Sequence, residues 1–400
     1  LLFSPDISLM LAATFLDQDH YLCEFRPFWQ FVPFAEADYP WRQSHPRLAQ
    51  WLDGLSDHQV AIWQDDPEQA HAACAVYLPQ LKHPLAIAKH YQQTAAPFWL
   101  KNAIKGRKWQ QISAFSALIS PLPTSILEWC AGKGHLGRLL AWQANHEVTS
   151  LEWQAELCQQ GQQSADKLGL SQQFFCTDVL KQATADYLQQ EQQVVALHAC
   201  GQLHINMLQD AVASRVQSIR LCPCCYQLIA QAEYQPMSRQ AAQSALRLSR
   251  QDLRLAVQET VTAHQRERDK RQTEKRYRQM FDIWQRSHSG KDEYLAVPSA
   301  PDSLFRQPPL FFCQWAAEQK GLQFNAEHQL DALQQAAEQR VRRLERMELI
   351  QHLFRRTLEH WLVLDRALYM EEQGYNVTLV EFCDREVTPR NLAILADLQP

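Results

Sequence analysis

Three carboxylates mark the ends of three short apolar stretches, and a run of glycines lies between the first two. Glu128 belongs to Ile126 to Trp129, Glu152 follows Val148 to Leu151, and Asp178 follows Phe174 to Cys176. Gly132, Gly134 and Gly137 are spaced GxGxxG within SILEWCAGKGHLG. A glycine turn between strand and helix lets a ligand approach bare backbone, and the helix offers unpaired N–H groups to a negative group. Two ligands use such a turn: a dinucleotide, through its pyrophosphate, and S-adenosylmethionine (SAM), with its carboxylate, ribose and adenine. A dinucleotide strand usually carries an apolar residue where Glu128 stands. A carboxylate there suits an ammonium group or an ordered water shell. Glu152 suits two ribose hydroxyls and serves either ligand. Asp178 can accept from an adenine amino group. The three acids together favour SAM, with a GxGxxG dehydrogenase as the alternative.

The elements that must position these residues alternate strand and helix. After the glycine turn come a helix (Leu139 to Ala144), the strand before Glu152, a helix (Glu156 to Lys167), the strand before Asp178, the strand Val194 to Leu197, the helix Leu203 to Ala213 and the strand Ile219 to Leu221. Such repetition builds a parallel sheet with right-handed crossovers, and ligands sit outside the carboxyl ends of its strands. Val377 to Phe382 and Asn391 to Leu395 read as a hairpin across DREVTPR. If Val377 to Phe382 runs parallel to the other strands, that loop lies at the ligand edge, and Arg385, Arg390 and Asn391 then face the site.

Two further clusters lie at strand ends. One is His198-Ala199-Cys200-Gly201; the other is Cys222-Pro223-Cys224-Cys225-Tyr226. Thiolate with imidazole is zinc chemistry. The spacing is not a paired C-x-x-C, however, and adjacent cysteines point different ways. Small soft side chains around a ligand are the simpler account, so no metal is expected.

Composition bounds the rest. Four hundred residues exceed one typical domain, and the 46% hydrophobic fraction is ordinary for a globular chain. A formal net charge of −5 leaves no global basic footprint for nucleic acid. No apolar run is long enough to span a membrane. LLFSPDISLM lacks a basic n-region and an A-x-A site, so no signal peptide is expected, and the missing initiator Met suggests a trimmed chain. Eleven cysteines, odd in number and gathered at strand ends, argue for a reducing cytoplasm.

Residues 1–95 read as a helical N-terminal module, with Trp29, Trp41, Trp51 and Trp63 as core. Residues 96–230 form the ligand-binding α/β core. Its entry helix carries Lys101, Lys105, Arg107 and Lys108, either a solvated helix end or a contact to an anionic substrate. Residues 231–330 read as a mainly helical insertion. Its basic stretch (Arg266, Arg268, Lys270, Arg271, Lys275, Arg276, Arg278, with Tyr277, Phe281 and Trp284) is a solvated face or a track for a phosphate backbone. Residues 331–400 supply a long helix with a basic patch (Arg340, Arg342, Arg343, Arg346), a cap at Gly374 and the last two strands.

At this point the sequence resembles the class I SAM-dependent methyltransferases, with Cys130 in place of the first glycine of their acid-x-Gly-x-Gly-x-Gly turn. WCAGKGHLG, LHACGQLH, CPCCYQL, LDRALYMEEQG and TPRNLAI together resemble the methyltransferase-like 25 group, which includes the glutathione S-transferase C-terminal-domain-containing proteins. The resemblance covers roughly residues 100–230 and 340–400. A weaker one runs to the acceptor-stem tRNA 2′-O-methyltransferases, which carry histidine where this chain has Tyr226 and a zinc-finger-like N-terminal segment that this chain lacks. The resemblance implies an α/β, Rossmann-like fold with a mainly parallel seven-stranded sheet. It also implies a SAM pocket of Glu128, Cys130, Gly132, Gly134, His135, Glu152 and Asp178, with His198 beside the reacting atoms. His198 is then a base or a shaper of the pocket. Tyr226 would orient the acceptor, and Lys105, Arg107, Lys108, Cys224, Cys225, Arg390 and Asn391 would bind it. RNA is the expected acceptor, ahead of a protein side chain. A non-catalytic RNA- or protein-binding module is the alternative from another class.

Overall fold

The computed structural model describes residues 6–102, 104–119, 124–259 and 265–399. The expectations about the first residues, LLFSP, lie outside that range. The chain divides into two units. One takes Leu1–Glu24, Pro84–Thr262 and Arg355–Pro400; the other takes Phe25–His83 and Ala263–Phe354.

The first unit is built on an eight-stranded sheet. Its strands are β1 (Ala88–Lys89), β2 (Ser125–Trp129), β3 (Glu147–Glu152), β4 (Gln172–Cys176), β5 (Gln193–Cys200), β6 (Ser218–Cys224), β7 (Tyr375–Glu381) and β8 (Leu392–Leu398). Their order is β1-β7-β8-β6-β5-β2-β3-β4. All neighbours pair in parallel except β8, which is antiparallel to both β6 and β7. This is the expected α/β sheet with one addition: the two-residue β1 extends the β7 edge and makes eight strands rather than seven. β6 is buried along its whole length and β5 through Gln193–Ala196, as strands covered on both faces must be. From β2 the chain runs outward to β3 and β4, and from β5 it runs the other way to β6. The order reverses between β2 and β5, and a ligand crevice opens where that happens.

Helices cover the sheet. Gly106–Ser116 and His135–Ala144 bury Ile112, Phe115, Leu136, Leu139 and Leu140 in one core with Ile126, Val195 and Phe382. Asp6–Glu24 packs Phe15 on Trp361 of the helix Arg355–Glu372, with ring centroids 5.2 Å apart, and Trp361 Nε1 donates to Asp19 at 2.9 Å. Asp365 and Arg366, both fully buried, organise the turn after β6. Asp365 accepts from Tyr234 Oη (2.5 Å) and from the amides of Met237 (2.9 Å) and Ser238 (2.7 Å). Arg366 Nε donates to His204 Nε2 at 2.8 Å, and its guanidinium lies 5.1 Å from the centre of the Tyr226 ring.

The division corrects the expected boundaries. The helix Asp6–Glu24 and residues 231–262 belong to the first unit, so neither a 1–95 module nor a 231–330 insertion is a body of its own. The long C-terminal helix is two helices, Leu330–His352 in the second unit and Arg355–Glu372 in the first.

Within the second unit, Trp29 and Trp41 are buried as expected, and Trp51 stacks on Tyr77 and Trp63. Phe281 and Trp284 join Phe312 and Phe324 in its core rather than facing a ligand. The basic stretch forms the helix Gln265–Ser289, and its cations are largely spent on neighbours in this unit. Lys275 Nζ lies 2.6 Å from Glu348, Arg278 Nε 2.8 Å from Glu274 and Lys270 Nζ 2.7 Å from Asp302. Of the other basic patch, Arg340 pairs with buried Asp282 at 2.8 Å, and Arg342 and Arg346 both reach Asp57.

Candidate active site

The site begins where β2 ends. The chain leaves Trp129 through Cys130 in a left-handed conformation (φ 57°), turns at Gly132 and enters the helix His135–Ala144 from Gly134, also left-handed at φ 63°. Gly134 is required twice over. Its φ disfavours any side chain, and a Cβ would lie 2.3 Å from Phe174 Cζ. A Cβ on Gly132, by contrast, meets nothing within 4 Å. The backbone of the turn is therefore open on that side.

Glu152, at the end of the neighbouring β3, clamps the turn. Its Oε2 accepts from Gly132 N at 2.9 Å and its Oε1 from Gln154 N at 3.0 Å. Each oxygen keeps a lone pair for a further donor. Beyond Glu152, the Trp153 side chain is two-thirds exposed. At the end of β4, Asp178 Oδ1 accepts from Leu180 N at 3.1 Å, and Lys181 pairs with Oδ2 at 3.0 Å, which holds the carboxyl below its usual range. Glu152, Asp178 and the turn thus come together at the carboxyl ends of β2, β3 and β4.

Glu128 does not join them. It is buried beneath the turn, where Oε1 accepts from Gly137 N (3.1 Å) and Oε2 from Ser150 Oγ (2.7 Å) and Gln172 Nε2 (3.3 Å). Burial pushes it up to about 7 against these donors. Its work is to brace the turn, and the expectation that it touches a ligand is corrected. Gln172, the first residue of β4 and two residues before the expected start of that strand, is the hub of this network and also bonds Gly134 O at 3.3 Å. His135 lies beside Arg138, with Nδ1 2.5 Å from Nη2. Burial and that cation drive it down to about 3, so it is neutral. Burial pushes the Cys130 thiol up to about 12.

Across the switch point, β5 shifts register between Leu197 and Ala199, and His198 takes a left-handed φ of 68°. Cys225, just past β6, does the same at 46°. Three neighbouring strands therefore each carry a strained non-glycine residue at or within two residues of their carboxyl ends, a pattern that clusters at functional sites. His198 Nε2 lies 3.2 Å from Gln111 Oε1, and Nδ1 lies 3.7 Å from Cys222 Sγ. Desolvation lowers the imidazole to about 4, so Nε2–H donates to Gln111. With Nε2–H given to Gln111 and burial disfavouring the cation, His198 is held as a neutral ring.

Tyr226 is a correction: it is fully buried between Arg366 and His204, and burial raises its phenol far above the usual value. It cannot reach an acceptor. Asn391 is another, since its Nδ2 donates to Cys383 O (2.8 Å) and its Oδ1 accepts from Arg356 (2.8 Å), which leaves it 2% exposed. Arg390 donates to Val257 O and lies 4.0 Å from Glu259, so it is tied to its own unit.

Lys105, Arg107 and Lys108 do share a cavity. With Gly106, Gln111 and Val387–Pro389 they line a cleft of about 470 Å³, and no carboxylate is among the described residues of its wall. Gln111 connects this cleft to His198. It went unnoticed in the sequence, although its place one helical turn after Lys108 was the available signal.

The reversal of strand order, the lone antiparallel strand and the glycine turn at the switch point define a class I methyltransferase fold. Residues 107–232 match the family profile described as a methyltransferase domain, and the chain carries a SAM-dependent methyltransferase domain. Among curated proteins it is similar to the glutathione S-transferase C-terminal domain-containing protein of Mus musculus, 31% identical over 128 residues, which are 31% of this chain and 19% of that protein. The Homo sapiens protein of the same name is 32% identical over 106 residues, 26% of this chain and 16% of that one. The chain thus spans a fifth or less of the length of these relatives. Among solved structures, magnesium protoporphyrin IX methyltransferase from Synechocystis PCC 6803 with bound SAH aligns over 33% of this chain and 62% of that one, at 15% identity and a TM-score of 0.25. No helix among the described residues is long and apolar enough to cross a membrane.

Proposed function

We propose that this chain methylates an anionic acceptor, RNA, which enters through the cleft of Lys105, Arg107 and Lys108. The observation that carries the reading is this three-cation wall, with no carboxylate among its described residues, joined to the strand edge by the Gln111–His198 contact. Phosphates are drawn to such a wall, and the net charge of −5 makes the attraction local rather than global.

The residues at the edge fit SAM: an open turn at Gly132, the lone pairs of Glu152 for ribose hydroxyls, Asp178 for the adenine amino group and the exposed Trp153 as an apolar wall. Bound there, SAM supplies a methyl group on a positive sulfur, open to in-line attack. The chain's own part is alignment. Gln111 and Cys222 lie against the His198 ring and orient it. His198 is therefore a positioning residue. The basic helix of the second unit has no part in this reading, since Arg268, Lys270, Lys275 and Arg278 are all paired with carboxylates of that unit. A reducing compartment, the cytoplasm, suits a chain with eleven cysteines.

The test is methyl transfer from SAM labelled in its methyl group to total RNA and to total protein. RNase-sensitive label, reduced in Lys108→Ala, is the expected result. Label on protein alone overturns the acceptor.

A further inference from the structure

At the carboxyl ends of β5 and β6 three thiols converge. The sulfurs of Cys200, Cys224 and Cys225 all lie within 4.8 Å of one another, and Cys200 Sγ is 3.4 Å from Cys224 Sγ. Successive residues of a strand point to opposite faces, which is why adjacent cysteines make a poor pair of ligands. The left-handed backbone at Cys225 breaks that alternation and returns its thiol to the side of Cys224. Cys200 arrives from the next strand, where it is the register partner of Cys224.

The backbone around the cluster is locked before any ligand binds. Gly201 N donates to Cys224 O at 3.0 Å, Leu228 N to Cys225 O at 2.9 Å, and Gln202 N to Leu228 O at 2.7 Å. Gly201 adopts φ 51° and ψ −117°, and a Cβ there would lie 2.1 Å from Leu228 O. Only glycine permits this approach, which ties the Cys200 segment to the Cys224–Leu228 turn.

We infer that Cys200, Cys224 and Cys225 form a three-thiolate site for one Zn²⁺ ion, with a fourth position open. A Zn–S bond of about 2.3 Å in tetrahedral geometry sets sulfurs about 3.8 Å apart, so the present spacing needs shifts of under about 1 Å. Thiols still protonated release their protons to solvent as the ion binds. Cys200 and Cys225 are partly exposed, so the cluster has a path for entry. Three protein ligands with an open position is the arrangement of reactive rather than purely structural zinc. The site does not depend on the acceptor of the methyltransferase or on binding of SAM.

The test is titration of the full chain, reduced and kept anaerobic, with Co²⁺ and then Zn²⁺. One equivalent of Co²⁺ should give a thiolate-to-cobalt charge-transfer band that Zn²⁺ abolishes. Cys224→Ser and the more exposed Cys225→Ala should each weaken binding beyond the ~10–100-fold typical of losing an outer-shell partner. Cys23→Ala, on the first helix, should leave it unchanged. Circular dichroism on each variant separates lost binding from lost folding. No band in a protein whose thiols titrate as free, or a band that survives Cys225→Ala in the folded variant, overturns the site.

Discussion

The amide of Gly132 donates to the Glu152 carboxylate at 2.9 Å, so the acid at the end of one strand fixes the glycine turn at the end of the next. The same carboxylate holds Gln154 N. Glu152→Ala removes the clamp and the ribose partner together. S-adenosylhomocysteine binding, measured by calorimetry, should weaken at least ~10-fold, about 1.4 kcal/mol. Asp178→Ala should weaken it too while leaving thermal stability near wild type, because Asp178 bonds only locally. Unchanged affinity in both variants would remove these acids from the pocket.

Gly134→Ala tests the turn itself. The new methyl would meet Phe174 and Gln172 in a left-handed backbone. Strain of roughly 1–2 kcal/mol and overpacking of roughly 1–3 kcal/mol should both appear as a lowered melting temperature. Gly132→Ala, whose methyl meets open space, should lose only the backbone part. Equal losses in the two would contradict the packing described.

Glu128 makes stability depend on pH. Its folded value, about 7, lies above the ordinary 4.5. The stability is therefore complete below about pH 4.5 and falls as pH rises through 7, by roughly 3 kcal/mol at most. Glu128→Gln should flatten melting temperature against pH in that window. A wild-type profile with no slope there would mean that Ser150, Gly137 and Gln172 hold the carboxylate as well as water does.

The two basic regions should separate in a salt titration. Lys105→Ala and Lys108→Ala should each weaken RNA binding and reduce its salt slope by about 1. Lys275→Ala should leave that slope alone and instead lower stability, by less than the ~3–5 kcal/mol of a fully buried broken pair, since its side chain is 19% exposed. The opposite outcome would move the RNA surface to the second unit.

Much of the fold was legible because it rests on local pattern. The apolar strands, the glycines between them and the acids at their ends repeat with the spacing of βαβ units, so sheet class and the edge positions of Glu152 and Asp178 could be read directly, whereas the switch point appeared only with the strand order. Direction and depth could not. Tyr226 ends a strand as a site residue would, yet its ring turns inward because Arg366, 140 residues later, waits there. Glu128 looked like a ligand contact, and Gln172 and Ser150 claimed it instead.

The sequence by itself determined which residues stand at the ligand edge, since chain order and the twofold period of a strand are local properties. Tertiary structure decided which of them face outward and how the helices are shared. Phe25–His83 and Ala263–Phe354 make one unit only because their apolar faces and charges complement each other across some two hundred residues. The left-handed turn at Cys225 brought three thiols together where strand alternation would have kept them apart. Burial and pairing of this kind depend on what the fold carries to a residue, and no spacing along the chain encodes that.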